Sequence, residues 1–175
     1  MFKASKVRAA LAVAAVPVVL VAVSTSAQAS DDIVWRNKAT GGCLRVWNDS
    51  SIDTDAGAMV HCQGTGIFNG KHFNNRWDDS QNGLQNANNT WKITTDATWY
   101  GGYCLASWYA DQNGLGRVLI ERCSSPANYY QQWYENWTGD GMQLVNRQTG
   151  LCLDSNARGD VYTHKCNGGD YQVWK

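Results

Sequence analysis

Cys152-Leu153, then Cys166, then Gln172-Val173-Trp174 is the stretch that decides the fold, because the same order of residues occurs twice before it. The earlier copies run Cys43-Leu44, Cys62, Asn75-Arg76-Trp77 and Cys104-Leu105, Cys123, Gln131-Gln132-Trp133. A segment written three times in one chain describes an assembly of equivalent units, none able to bury its apolar face alone. The first and third copies agree beyond the motif. Asn37-Lys38-Ala39-Thr40-Gly41-Gly42-Cys43-Leu44 lies over Asn146-Arg147-Gln148-Thr149-Gly150-Leu151-Cys152-Leu153. The second copy carries an aromatic stretch before its first cysteine, Thr98-Trp99-Tyr100-Gly101-Gly102-Tyr103.

All 6 cysteines of the chain fall in these copies, two in each. Equivalent units should make equivalent bonds. That selects Cys43–Cys62, Cys104–Cys123 and Cys152–Cys166 from the many pairings six cysteines allow. Each bond closes a short local loop, worth about 3 kcal/mol in the chain-entropy model. A metal site is the alternative, with His61 beside Cys62 as the tempting ligand. The sequence holds no Cys-x-x-Cys knuckle, and His61 has no counterpart in the other copies, so no metal and no other cofactor is expected.

Residues 1–29 stand apart from the repeats. Lys3, Lys6 and Arg8 precede an apolar run from Ala9 to Val23, and Ala27-Gln28-Ala29 offers a small-residue cleavage site. This is the pattern of a secretory signal peptide. As a membrane anchor the run is short against a span of about 20 residues, and Pro17 interrupts it. The expected product is a released, extracellular domain over 30–175, with repeats at about 33–80, 88–137 and 142–175. The chain carries 15 basic and 15 acidic side chains. The leader takes basic groups and no acidic ones, leaving the domain mildly acidic. With no basic run and no second apolar span, neither nucleic acid nor a membrane is an expected partner.

Beyond the leader, short strand-like pieces dominate: Ile33-Val34-Trp35, Trp91-Lys92-Ile93, Val118-Leu119-Ile120, Gln143-Leu144-Val145 and Val161-Tyr162-Thr163. Turn formers separate them, at Thr40-Gly41-Gly42, Asn82-Gly83, Asn113-Gly114, Gly139-Asp140-Gly141 and Asn167-Gly168-Gly169. Short strands between glycine-rich turns indicate an all-β domain.

Three Cys-Leu steps, each followed by a second cysteine and a Gln-x-Trp, resemble the ricin B-type lectins, the QxW β-trefoil family. The likeness covers almost all of the domain; the first copy departs only in having Asn75 where glutamine is usual. The resemblance implies a β-trefoil of three pseudo-equivalent four-stranded lobes, with one disulfide inside each repeat. Trp77, Trp133 and Trp174, one per unit, are expected to meet in a shared core.

Sugar recognition in water needs an aromatic face against the C–H side of a pyranose, with a carboxylate and an amide beside it for the hydroxyls. The resemblance places the carboxylate directly after the Cys-Leu step, the aromatic platform two residues before the second cysteine, and an asparagine before the Gln-x-Trp glutamine. The third copy matches best: Asp154 is the carboxylate, His164 the platform, and Gln172 is present. Tyr162 falls on the same strand face as His164, because side chains alternate. Tyr171 stands where the asparagine is usual. The second copy has Ala106 and Glu121 at the carboxylate and platform positions, and the first has Arg45 and Val60, so neither keeps a family-type site.

These readings imply a non-enzymatic lectin that binds a glycan or glycoconjugate through the third repeat. A second expectation competes with it. Trp99, Tyr100 and Trp108 fall in loop-like sequence of the second copy, and exposed aromatic clusters anchor protein interfaces. On that reading the chain is a degenerate lectin scaffold serving as the protein-interaction subunit of a larger secreted assembly. A trefoil protease inhibitor presenting a loop is a third.

Overall fold

The computed structural model describes residues 33–47, 56–59, 62, 65–68, 70–78, 90–92, 94–95, 103–124 and 128–175. The leader, Trp99, Tyr100, Val60 and Asn82-Gly83 lie outside them. The first lobe contributes β1 (Cys43–Trp47), β2 (Ala56–Met59), β3 (Thr65–Phe68), β4 (Lys71–Asn74) and β5 (Trp77–Asp78). The second contributes β6 (Thr90–Lys92), β7 (Thr94–Thr95), β8 (Tyr103–Ala110), β9 (Gly116–Arg122) and β10 (Gln132–Thr138). The third has β11 (Gly141–Asn146), β12 (Cys152–Ser155) and β13 (Val161–His164). Every pairing among these strands is antiparallel. They form a four-stranded sheet, β2-β1-β4-β3, and a nine-stranded one, β5-β7-β8-β9-β13-β12-β11-β10-β6.

The repeated residues do the same work in each lobe. Leu44, Leu105 and Leu153 are wholly buried, as are Trp77, Trp133 and Trp174, and all six belong to one core cluster. Each indole N–H then needs an acceptor, since a buried donor left unpaired costs about 1–3 kcal/mol. It finds the carbonyl of its own lobe's leucine: Trp77 on Leu44 at 3.0 Å, Trp133 on Leu105 at 2.9 Å, Trp174 on Leu153 at 3.1 Å. The disulfides close as the repeat requires, Cys43–Cys62, Cys104–Cys123 and Cys152–Cys166, with Cα separations of 5.5, 5.1 and 5.1 Å.

The lobes are fastened to one another by the asparagine that opens the first and third copies. Asn146 Nδ2 donates to the Tyr130 carbonyl of the second lobe at 2.7 Å. Asn37 Nδ2 donates to the Tyr171 carbonyl of the third at 2.7 Å. In both, Oδ1 accepts from the next turn, Ala39 and Thr40 N–H in one case, Gln148 and Thr149 N–H in the other. Gly41 and Gly150 close those turns at φ 68° and 69°, a region where a side chain would be strained. The first lobe is completed from the far end of the chain, where Arg36 and Lys175 exchange backbone hydrogen bonds at 2.8 and 2.9 Å.

Two local expectations are corrected. Ile33-Val34-Trp35 forms no strand, because this segment's bridges go to different partners, Ile33 to Trp77, Arg36 to Cys43 and Asn37 to Trp174. Trp35 instead enters the core and stacks on Trp77, with centroids 6.3 Å apart. Trp108 lies within strand β8, not in a loop.

Candidate functional site

The hairpin of β12 and β13 sets the third-lobe residues in place. Its register pairs Cys152 with His164 and Asp154 with Tyr162, and directly paired residues of an antiparallel ladder share a face. Asp154, Tyr162 and His164 therefore stand on one side of the hairpin, opposite Leu153 and Thr163, which face the core. Gln172, in a short 3-10 turn over Asp170–Gln172, reaches under that face. Its Nε2 donates to Asp154 Oδ2 at 2.8 Å and to the Lys165 carbonyl at 3.0 Å, while its Oε1 accepts the Asn167 N–H at 2.9 Å. The glutamine thus brackets Cys166 by its two neighbours and holds the carboxylate with the remaining N–H.

Asp154 is 5% exposed and accepts a second bond, from the Ser155 N–H at 2.8 Å. A carboxylate offers about four acceptor sites, so roughly two remain. The Tyr162 hydroxyl donates to the Ser155 carbonyl at 3.3 Å, and burial, helped by the nearby Asp154 and Asp160, pushes its phenol above the ordinary value. Tyr171 is exposed, and its carbonyl, not its ring, is what Asn37 holds. The structure therefore gathers Asp154, Tyr162, His164 and Gln172 about one hairpin face, with Tyr171 at its edge.

The second lobe repeats the glutamine and changes the source of the carboxylate. Gln131 Nε2 donates to the Arg122 carbonyl at 3.0 Å, and Oε1 accepts the Ser124 N–H at 3.0 Å, bracketing Cys123 as Gln172 brackets Cys166. Its other amide hydrogen goes to Glu121 Oε2 at 3.1 Å. Glu121 pairs with Cys104 across β8 and β9, next to the Ala106–Leu119 pair. The acid missing from position 106 is supplied from the facing strand. Glu121 Oε1 accepts the Trp108 indole N–H at 2.7 Å.

Trp108 is 41% exposed and stacks on Tyr130, with centroids 4.6 Å apart. A shift in register between Ser107 and Ala110 puts this indole in a bulge, a device that re-aims a side chain. Trp108, Arg117, Leu119 and Glu121 line a cavity of about 270 Å³. The sequence singled out Trp108 but missed Glu121, Gln131 and Arg117 as its company. The available signal was a carboxylate two residues before Cys123, on the face that Ala106 vacates.

The first lobe is furnished differently again. Arg45, at the position of Asp154, lays its guanidinium 3.8 Å from the centre of the Trp47 ring. Burial lowers its pKa to about 10, and its Nε and Nη1 make no hydrogen bond. Gly57 faces it in register, and a Cβ there would lie 2.7 Å from Nη2. Cys43 pairs with Met59, three residues before Cys62, so this hairpin is offset by one from the other two.

The architecture recurs in solved structures of low sequence identity. The designed 3-fold symmetric protein ThreeFoil superposes at a TM-score of 0.62 and 24% identity, covering 81% of this chain and 94% of that one. The fold is a β-trefoil. A Culex salivary protein of the cysteine and tryptophan-rich family matches at 0.62 and 15% identity, covering 86% and 95% of the two chains. SeviL, solved with the asialo-GM1 saccharide, matches at 0.54 and 14%, covering 82% and 94%. No family model matches the chain. At these identities the likeness is one of backbone.

Proposed function

We propose that this chain is a secreted carbohydrate-binding module without catalytic activity, taking a glycan or glycoconjugate on the outer face of the third-lobe hairpin. The observation that carries the reading is the Asp154–Gln172 pair, a carboxylate held at 2.8 Å by an amide with acceptor capacity left over. Tyr162 and His164 flank it on the same face and supply packing surface. Asp154 accepts hydrogen bonds from the hydroxyls, and Gln172 fixes the direction in which the carboxylate points. A site that holds its acceptor rigidly discriminates against an epimer, whose misplaced hydroxyl leaves a buried group unpaired. Secretion is proposed from the leader pattern and fits three disulfides.

The test is a glycan array on the oxidised domain in multivalent format, run beside Asp154→Ala and His164→Ala variants whose fold is checked by circular dichroism. Signal on one sugar class that both variants lose supports the reading. Folded protein that binds nothing sinks it. One observation favours a protein-interaction role instead: Tyr109, Tyr129 and Trp137 of the second lobe are 59%, 47% and 60% exposed. If the array is blank, pull-down from the native secretome, with Trp137→Ala as control, addresses that role.

A further inference from the structure

We propose that the outer face of the first-lobe sheet is an oxyanion site, in which the Arg45 guanidinium holds one carboxylate, sulfate or phosphate group. The site is independent of the carbohydrate reading above. It falls where the third lobe carries Asp154, a group of opposite charge.

The first observation is a set of unmet hydrogen bonds. Among the described residues of the first lobe, three buried side-chain nitrogens have no partner: Nε and Nη1 of Arg45 and Nδ2 of Asn74. Asn74 lies on β4 opposite Val46, the residue after Arg45. Its amide is oriented by Oδ1, which accepts the Arg76 N–H at 2.8 Å, so the unpaired end is the N–H end. Buried polar groups are nearly always bonded, and a charged donor left without an acceptor is the costliest exception. Here every unpaired group is a donor. An oxyanion carries acceptors alone and so answers that set.

The second observation is how the guanidinium is placed. Leu44 and Val46 enter the core, so Arg45 and Trp47 stand on the outer face, where Arg45 is partly exposed. Its Cζ lies 3.8 Å from the centre of the Trp47 ring. Gly57, paired with Arg45 across β1 and β2, lies against the same group. A Cβ there would stand 2.7, 2.9 and 3.1 Å from Nη2, Cζ and Nη1. Stacking of this kind uses the flat sides of a guanidinium and leaves its rim of N–H groups for an oxyanion. Gly57 is thus a positioning residue, and the donor is oriented before any ligand arrives.

The third observation is charge. Burial lowers the Arg45 pKa to about 10, so the group remains a cation at neutral pH. Burial is the whole cause of that shift, and no carboxylate among the described residues acts against it. An oxyanion supplies the missing charge and the missing acceptors together.

The experiment is a ¹H–¹⁵N NMR titration of the oxidised protein at neutral pH with acetate, sulfate and phosphate, each against chloride at matched ionic strength. The expected result is that at least one oxyanion shifts the Arg45 Nε–H and the Gly57 amide along a saturating curve at millimolar concentration, and chloride does not. Followed at the Gly57 amide, Arg45→Lys keeps the charge but loses the planar fork, and should bind about tenfold more weakly. Arg45→Met should not bind. Gly57→Ala, followed at the Arg45 Nε–H, displaces the guanidinium without removing it and should also weaken binding. A glucose sulfate ester, run beside glucose and free sulfate, identifies the source. Tighter binding of the ester assigns an acidic group on a sugar, and equal binding assigns the free ion. Equal shifts with chloride would overturn the site, since screening of an ordinary surface charge produces them. So would the absence of a saturating shift with every oxyanion, or full affinity in the folded Arg45→Lys or Arg45→Met protein.

Discussion

In the third lobe the carboxylate that meets the scaffold glutamine comes from β12, as Asp154; in the second it comes from the facing strand β9, as Glu121. The glutamines make otherwise matching bonds, each clasping the residues on either side of its lobe's second cysteine. The difference teaches that the two strands of a hairpin are interchangeable sources for a side chain on their common face. Paired residues point the same way, so an acid lost from one strand can be replaced from the other without moving the amide. The replacement changes exposure. Asp154 is buried beside its partner strand, while Glu121 is half-buried at the wall of an open cavity.

The largest effects should fall on what the two lobes share. Trp133→Ala and Trp174→Ala each remove a wholly buried indole and orphan a leucine carbonyl. Each should cost about 3–5 kcal/mol, with similar values in the two lobes, as read from urea unfolding midpoints. A gap of more than about 2 kcal/mol between them would break the equivalence of the lobes. Next come the crosslinks. The second-lobe disulfide spans 19 residues of sequence and the third 14. Replacing both cysteines of either pair by serine should cost about 3 kcal/mol, the two results agreeing within about 0.5 kcal/mol, because the entropy grows only as the logarithm of loop length.

The glutamines sharpen the comparison. Gln172→Ala and Gln131→Ala should each cost about 1–3 kcal/mol. The third-lobe change should be the larger, because the Asp154 oxygen it abandons has less access to water. Equal losses would mean that Glu121 is as dry as Asp154. The smallest effect is alkaline. Burial raises the Tyr162 phenol above its ordinary value of 10.0, so the folded state keeps a proton that the unfolded state releases. Stability from this group is present below pH 10 and declines as pH rises through the folded value. Tyr162→Phe should flatten that part of the stability–pH curve, which a series of urea melts in alkaline buffers would show.

Much of the fold is legible in the sequence. The cysteine pairs, the core tryptophans and the matched turns at Gly41 and Gly150 follow from repetition, because each repeat is a small closed problem whose solution must serve several times. The leucine carbonyl that caps each indole was not stated in the sequence, although the fixed order of Leu and Trp encodes it. The common face of Asp154, Tyr162 and His164 was legible because spacing along one hairpin translates directly into one face. The second-lobe cavity was not, for it depends on a bulge at Trp108 and on a carboxylate contributed across the ladder. Both are relations between strands, and periodicity along one strand does not carry them. The one-residue offset between Cys43 and Met59 escaped for the same reason.

The hydrogen bonds joining Arg36 to Lys175 and Asn37 to Tyr171 have a bearing on how the molecule is made. A ribosome delivers residues 171–175 after the rest of the trefoil, so the edge of the first lobe waits for the third lobe to be translated. The ring cannot be zipped up lobe by lobe in order of synthesis. Closure joins the first segment of the trefoil to its last, and a nick beside either would be felt in the lobe farthest away in sequence.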